Sequence, residues 1–144
     1  MNKFFLSTFL LVFSAQSFAQ DLKASALKYV PGGSVVELKK DEVKVKTPAG
    51  SLVEIEFNRN GELDEASGDA IESDVFIPGN GYKNLSEISK TLKDLGYQLS
   101  GDWSYESSFM NPWNYEVDAF KDGQSYEVEV DAKTGKITKS KIDD

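Results

Sequence analysis

The sequence predicts an α+β fold: two repeats of a helix packed on an antiparallel sheet of about four strands. Three observations predict it. Tyr126, Val128 and Val130 alternate with Glu127, Glu129 and Asp131, the period of a strand with one dry and one wet face. Val53, Ile55 and Phe57 alternate in the same way with Glu54 and Glu56, and both stretches run into a polar, glycine-bearing turn. Between them, Leu85, Ile88, Leu92 and Leu95 recur at helical spacing.

The elements follow in order. Asp21 to Val30 reads as a short helix with Leu22, Ala26, Tyr29 and Val30 on one side, stopped by Pro31-Gly32-Gly33. Val35 to Lys39 and Glu42 to Thr47 read as strands. Closing the Pro48-Ala49-Gly50 loop sets Val45 against Val53, Val43 against Ile55, and Lys44 against Glu54. The stretch 64–83 finishes a strand and then becomes an acidic connector. Its five acids lack the spacing of an EF-hand, and a solvated linker is expected. Asn84 with Glu87 makes a capping-box start for a helix that Gly96 ends. Strands are expected at Tyr97 to Tyr105 and Trp113 to Phe120, joined by a loop that carries Phe109 and Met110 at its tip. Asp122-Gly123 is a two-residue hairpin signal leading into the Tyr126 strand, and Ile137 to Ile142 closes as a lysine-rich edge. The expected organisation is a leader over 1–19, a first repeat over 20–67, a linker over 68–83 and a second repeat over 84–144.

The leader reading rests on the basic start Met1-Asn2-Lys3, the apolar run Phe4 to Phe13, and Ser17-Phe18-Ala19 ahead of Gln20. That is a secretory signal peptide, and no other stretch suggests a membrane span. The chain has no cysteine, so an exported form holds its fold without disulfides, which suits a bacterial periplasmic or secreted space. Cleavage leaves a net charge of about −9, a balance opposed to binding nucleic-acid phosphates and compatible with a basic protein partner, divalent cations or plain solubility.

The absence of histidine and cysteine excludes His-dependent triads, thiol nucleophiles and the common zinc sites. No glycine-rich loop precedes a helix as nucleotide binding requires. Paired carboxylates remain as candidate groups, but a chain this small has little room for a sugar cleft, and no enzyme activity, cofactor or metal is expected. The informative pattern is electrostatic. Closing Asp122-Gly123 sets Asp118 against Glu127 and Glu116 against Glu129, like charges directly across two strands. Glu116, Asp118, Glu127 and Glu129 are therefore candidate partner-binding residues, unless Lys139 or Lys141 neutralises them from the neighbouring strand. Phe109 and Met110 are the second candidates, as exposed anchors of the kind interfaces use.

The run from Gly123 to Ile137, with its alternating strand, Asp131, Thr134-Gly135 turn and closing strand, resembles the PepSY domain family. The resemblance covers residues 84–142 well and 21–67 less well, since Asn58-Arg59-Asn60-Gly61 stands where the family carries Asp and Thr-Gly. A tandem pair is also similar to the fold of the β-lactamase inhibitory protein. The resemblance implies a non-catalytic module, found in propeptides of thermolysin-type metallopeptidases and in secreted or membrane-tethered bacterial proteins, that regulates or inhibits a peptidase or other envelope protein. The alternative is a periplasmic sensor or carrier of small ligands or cations.

Overall fold

The computed structural model describes residues 18–110 and 112–144; the signal-peptide reading of residues 1–17 lies outside them. Helix α1 covers 18–29 and buries Leu22, Ala26 and, just past its end, Val30. Strands β1 (Ser34–Lys39), β2 (Glu42–Lys46), β3 (Leu52–Phe57) and β4 (Leu63–Gly68) follow. The chain then passes through helix α2 (Leu85–Asp94) to β5 (Gln98–Glu106), β6 (Asn114–Lys121), β7 (Gln124–Asp131) and β8 (Ile137–Ile142).

The alternation seen in the sequence decides which side of each strand is dry. Val43, Val45, Val53, Ile55, Phe57, Tyr105, Tyr115, Val117, Val128 and Val130 are buried, and their neighbours along each strand face the other side. The predicted registers hold in both hairpins. Val45 pairs with Val53 and Val43 with Ile55; Tyr115 pairs with Val130, Val117 with Val128 and Ala119 with Tyr126. Asp122 and Gly123 have φ of 52° and 78°, the left-handed pair that a two-residue hairpin turn needs. The predicted capping box is present as well, with the Asn84 N–H donating to the Glu87 carboxylate at 2.8 Å.

The architecture corrects the expected two repeats. The strands form one continuous antiparallel sheet in the order β1-β2-β3-β4-β5-β6-β7-β8. Both helices contribute to a single hydrophobic core rather than each serving its own small sheet. The joint is the β4–β5 pairing, where Ala66 meets Tyr105 and Gly68 meets Trp103. Nothing in the local sequence signals it, because the two strands are separated by the whole of 69–97.

The stretch 68–83, at the start of that separation, is a second correction. Read as a solvated linker, it instead places Ile71, Asp74 and Phe76 in the interior. The Asp74 carboxylate accepts from the Trp103 indole N–H at 2.7 Å and also from the Ser51 hydroxyl. Ser51 is in turn bonded to the Thr47 hydroxyl at 2.8 Å, so a polar chain runs from the β2–β3 loop through the connector to β5. Gly68 leaves room for it, since a Cβ there would collide with Asp74 and Trp103. A third correction is Leu95. It caps the end of α2 rather than continuing the stripe, and it is 50% exposed.

Candidate functional site

The face of the sheet opposite the core carries the charges. Across β2 to β5, Glu42, Glu56, Glu65 and Glu106 stand in one row of register partners. A second row runs Lys44, Glu54, Ser67, Ser104, Glu116, Glu129, Lys139 from β2 to β8. The predicted acid–acid pairs Glu116–Glu129 and Asp118–Glu127 are both present. Lys139 and Lys141 do lie in register against Glu129 and Glu127, on the far side of β7. They stand opposite only the β7 acids; Glu116 and Asp118 on β6 have no lysine opposite them among the register partners.

The titration of these groups reflects the crowding. The Glu116 carboxyl shares a hydrogen bond with Glu127, is partly desolvated, and feels the charges of Glu127, Glu106 and Glu129, which together push it up to about 7. Burial, then Asp102, Asp143 and Glu127, raises Asp118. Burial, then Glu56 and Glu106, raises Glu65. At the other margin Lys44 sits 3.1 Å from Glu37 and 3.7 Å from Glu54, relieving the acids there. Sequence reasoning missed Glu42, Glu56, Glu65 and Glu106 as members of this face. Glu106 meets β6 through the β5–β6 pairing, whereas Glu42, Glu56 and Glu65 reach the β5 and β6 acids only through the β4–β5 pairing.

A raised carboxyl binds more protons in the folded than in the unfolded chain between its two pKa values. Glu116 therefore costs stability as pH rises from its ordinary value of 4.5 through about 7, and the cost is absent below that window. Solvent screening keeps it small, because the group is only partly buried. Glu116→Lys is expected to raise stability at pH 8 by up to about 1 kcal/mol, the scale of one cross-strand charge pair. It should also flatten the loss of stability between pH 5 and 7. Thermal unfolding of both proteins at several pH values checks this, and an unchanged slope would show that Glu116 is not the group responsible. Glu129 is the poorer place for the test, since a lysine there would face Lys139.

The second pair of candidates lies at one end of the sheet. The loop between β5 and β6 presents Phe109 fully exposed and Met110 82% exposed. At the base of that loop, Tyr105 and Trp113 stack with ring centroids 4.7 Å apart and planes 5° from parallel. The Trp113 carbonyl accepts from the Ala132 N–H at 3.1 Å, and the Ala132 carbonyl accepts from the Lys83 N–H at 2.7 Å. The Tyr115 hydroxyl donates to the Lys83 carbonyl at 2.6 Å. The turn after β7 thus anchors both the loop base and the connector. Its Asp131 accepts from the Lys133 and Thr134 N–H groups at 2.8 and 2.9 Å, which holds its carboxyl below the usual range. The structure does not gather the acidic face and the Phe109–Met110 tip into one cluster. Glu106, at the start of the loop, is where the acidic row ends.

From α2 onward the chain is a helix followed by a four-strand meander whose last turn carries Asp131 and Thr134-Gly135. Residues 86–141 match the family model described as the peptidase propeptide and YPEB domain, so a PepSY domain is detected over this part of the chain. No curated protein and no solved structure gave a match. Among the described residues no helix is long and apolar enough to cross a membrane.

Proposed function

We propose that the chain is an exported, non-catalytic binding module that regulates or inhibits a peptidase or another protein of the bacterial envelope. The observation that carries this reading is the Phe109–Met110 tip. Two large apolar side chains stand in water on a loop whose base is fixed by stacked rings and backbone bonds. Isolated exposed apolar residues are ordinary, but an aromatic and a methionine side by side on an anchored loop suit an interface anchor. The PepSY match at 86–141 supports a peptidase-related partner. The acidic face supports a basic one, drawn in by long-range attraction.

The test compares the wild-type protein with Phe109→Ser/Met110→Ser on an envelope fraction of the source cell, followed by peptidase assays on whatever is retained. The wild type is expected to retain a partner and lower its activity. The double variant should unfold at the same denaturant concentration yet bind about tenfold or more weakly. Equal retention by both proteins, or a retained partner whose activity is unaffected, would sink the reading. Saturable calcium binding in calorimetry without any protein partner would instead favour the cation-sensor alternative.

A further inference from the structure

A cavity of about 370 Å³ opens at the same end of the molecule as the Phe109–Met110 loop. Four aromatic residues line it: Tyr29 from the end of α1, Tyr82 from the connector, and the stacked Tyr105 and Trp113. Glu62, in the β3–β4 turn, and Asn80 complete its polar wall. The volume falls near the lower end of the range for ligand pockets and suits one long side chain better than an extended small molecule.

Charge decides what such a lining prefers. None of the residues around the cavity is basic. The Glu62 carboxylate makes no ion pair among the described residues, although Arg59 lies three positions away in the same turn. Aromatic rings attract cations through their negative faces, and a carboxylate at the rim adds to that attraction. Tyrosine hydroxyls near one another offer acceptors for the several N–H groups of a guanidinium. The Tyr105 hydroxyl is held protonated first by burial and then by the proximity of Tyr82 and Tyr29.

From this arrangement we infer that the cavity bounded by Tyr29, Tyr82, Tyr105, Trp113 and Glu62 receives an arginine or lysine side chain of the protein partner, beside the apolar contact made by Phe109 and Met110. The inference rests on the partner-binding reading above and names the part of the partner that this end of the sheet recognises. It follows that the partner presents a basic residue flanked by an apolar surface.

The probe is N-acetyl-arginine methylamide, titrated into the nitrogen-15-labelled protein to millimolar concentration. The uncharged citrulline analogue, of nearly the same shape, serves as its match. The two indole N–H signals provide an internal control, because Trp113 lines the cavity whereas Trp103 is buried and bonded to Asp74. The arginine probe is expected to shift the Trp113 signal saturably and leave the Trp103 signal in place. Glu62→Gln should weaken this binding roughly fivefold without changing the unfolding midpoint. Equal shifts by arginine and citrulline probes, or no shift with either, would overturn the inference. A neutral sugar binding in place of arginine would overturn it too. Because the titration needs no partner, its failure is distinct from a failure of the capture experiment.

Discussion

Phe76→Ala is expected to cost about 3–5 kcal/mol, the range for removing a large buried aromatic side chain. Phe76 comes from the segment between β4 and α2, yet it is almost completely enclosed. Its ring lies 6.1 Å from that of Tyr29, 5.3 Å from Trp103, 5.2 Å from Tyr105 and 6.4 Å from Tyr115. Those four rings come from α1, β5 and β6, so truncation leaves a void where several elements meet. Chemical denaturation followed by circular dichroism gives the loss directly. A surface connector would give a change within about 0.5 kcal/mol, and that result would contradict the packing.

Asp74→Ala should cost about 1.5–3 kcal/mol, the scale of hydrogen bonds to a charged group. It removes the acceptor of the buried Trp103 N–H and a partner of the Ser51 hydroxyl together. Asp74→Asn keeps an acceptor at the same place and should lose less. Denaturation curves of both variants, with the fluorescence of the unfolding indoles as the readout, separate the two outcomes. An alanine variant as stable as the wild type would show that water or another group satisfies Trp103 without the carboxylate.

Much of this fold is legible in the residues, and the part that is not has a physical cause. Period-two alternation reports which side of a strand is dry, and Asp122-Gly123 fixes its own register. The pairs from Ala119–Tyr126 to Glu116–Glu129 therefore follow from short-range rules. Phe109 and Met110 were readable because they lie between two strands in a stretch with no periodicity of its own. By contrast, Phe76 and Ile71 sit in an acidic, Pro-Gly-rich stretch, where neither alternation nor helical spacing marks an apolar residue as core. The acidic face was visible only as its β6–β7 half. Glu56 and Glu65 pair across a local hairpin, but they reach the β6–β7 acids only through the β4–β5 pairing of distant strands, which no local pattern encodes. The cavity was missed for the same reason, since Tyr29, Tyr82 and Trp113 come from separate parts of the chain.

The β4–β5 joint has a consequence for the order in which the sheet is made and unmade. Every other neighbouring pair of strands is closed by a short turn, whereas β4 and β5 meet across residues 69–97. For a flexible chain, closing a segment about ten times longer than a hairpin turn costs roughly 2 kcal/mol more in entropy. The joint has four register pairs, against eight between β6 and β7. The two meanders are accordingly expected to form early, with their union setting the pace of folding. In the native protein, amide protons along Glu65–Gly68 should exchange with solvent through a partial opening that leaves the β6–β7 hairpin protected. The aromatic cavity spans this joint, with Leu63 on one side and Tyr105 on the other. A partner side chain seated there would hold the two meanders together and slow that exchange.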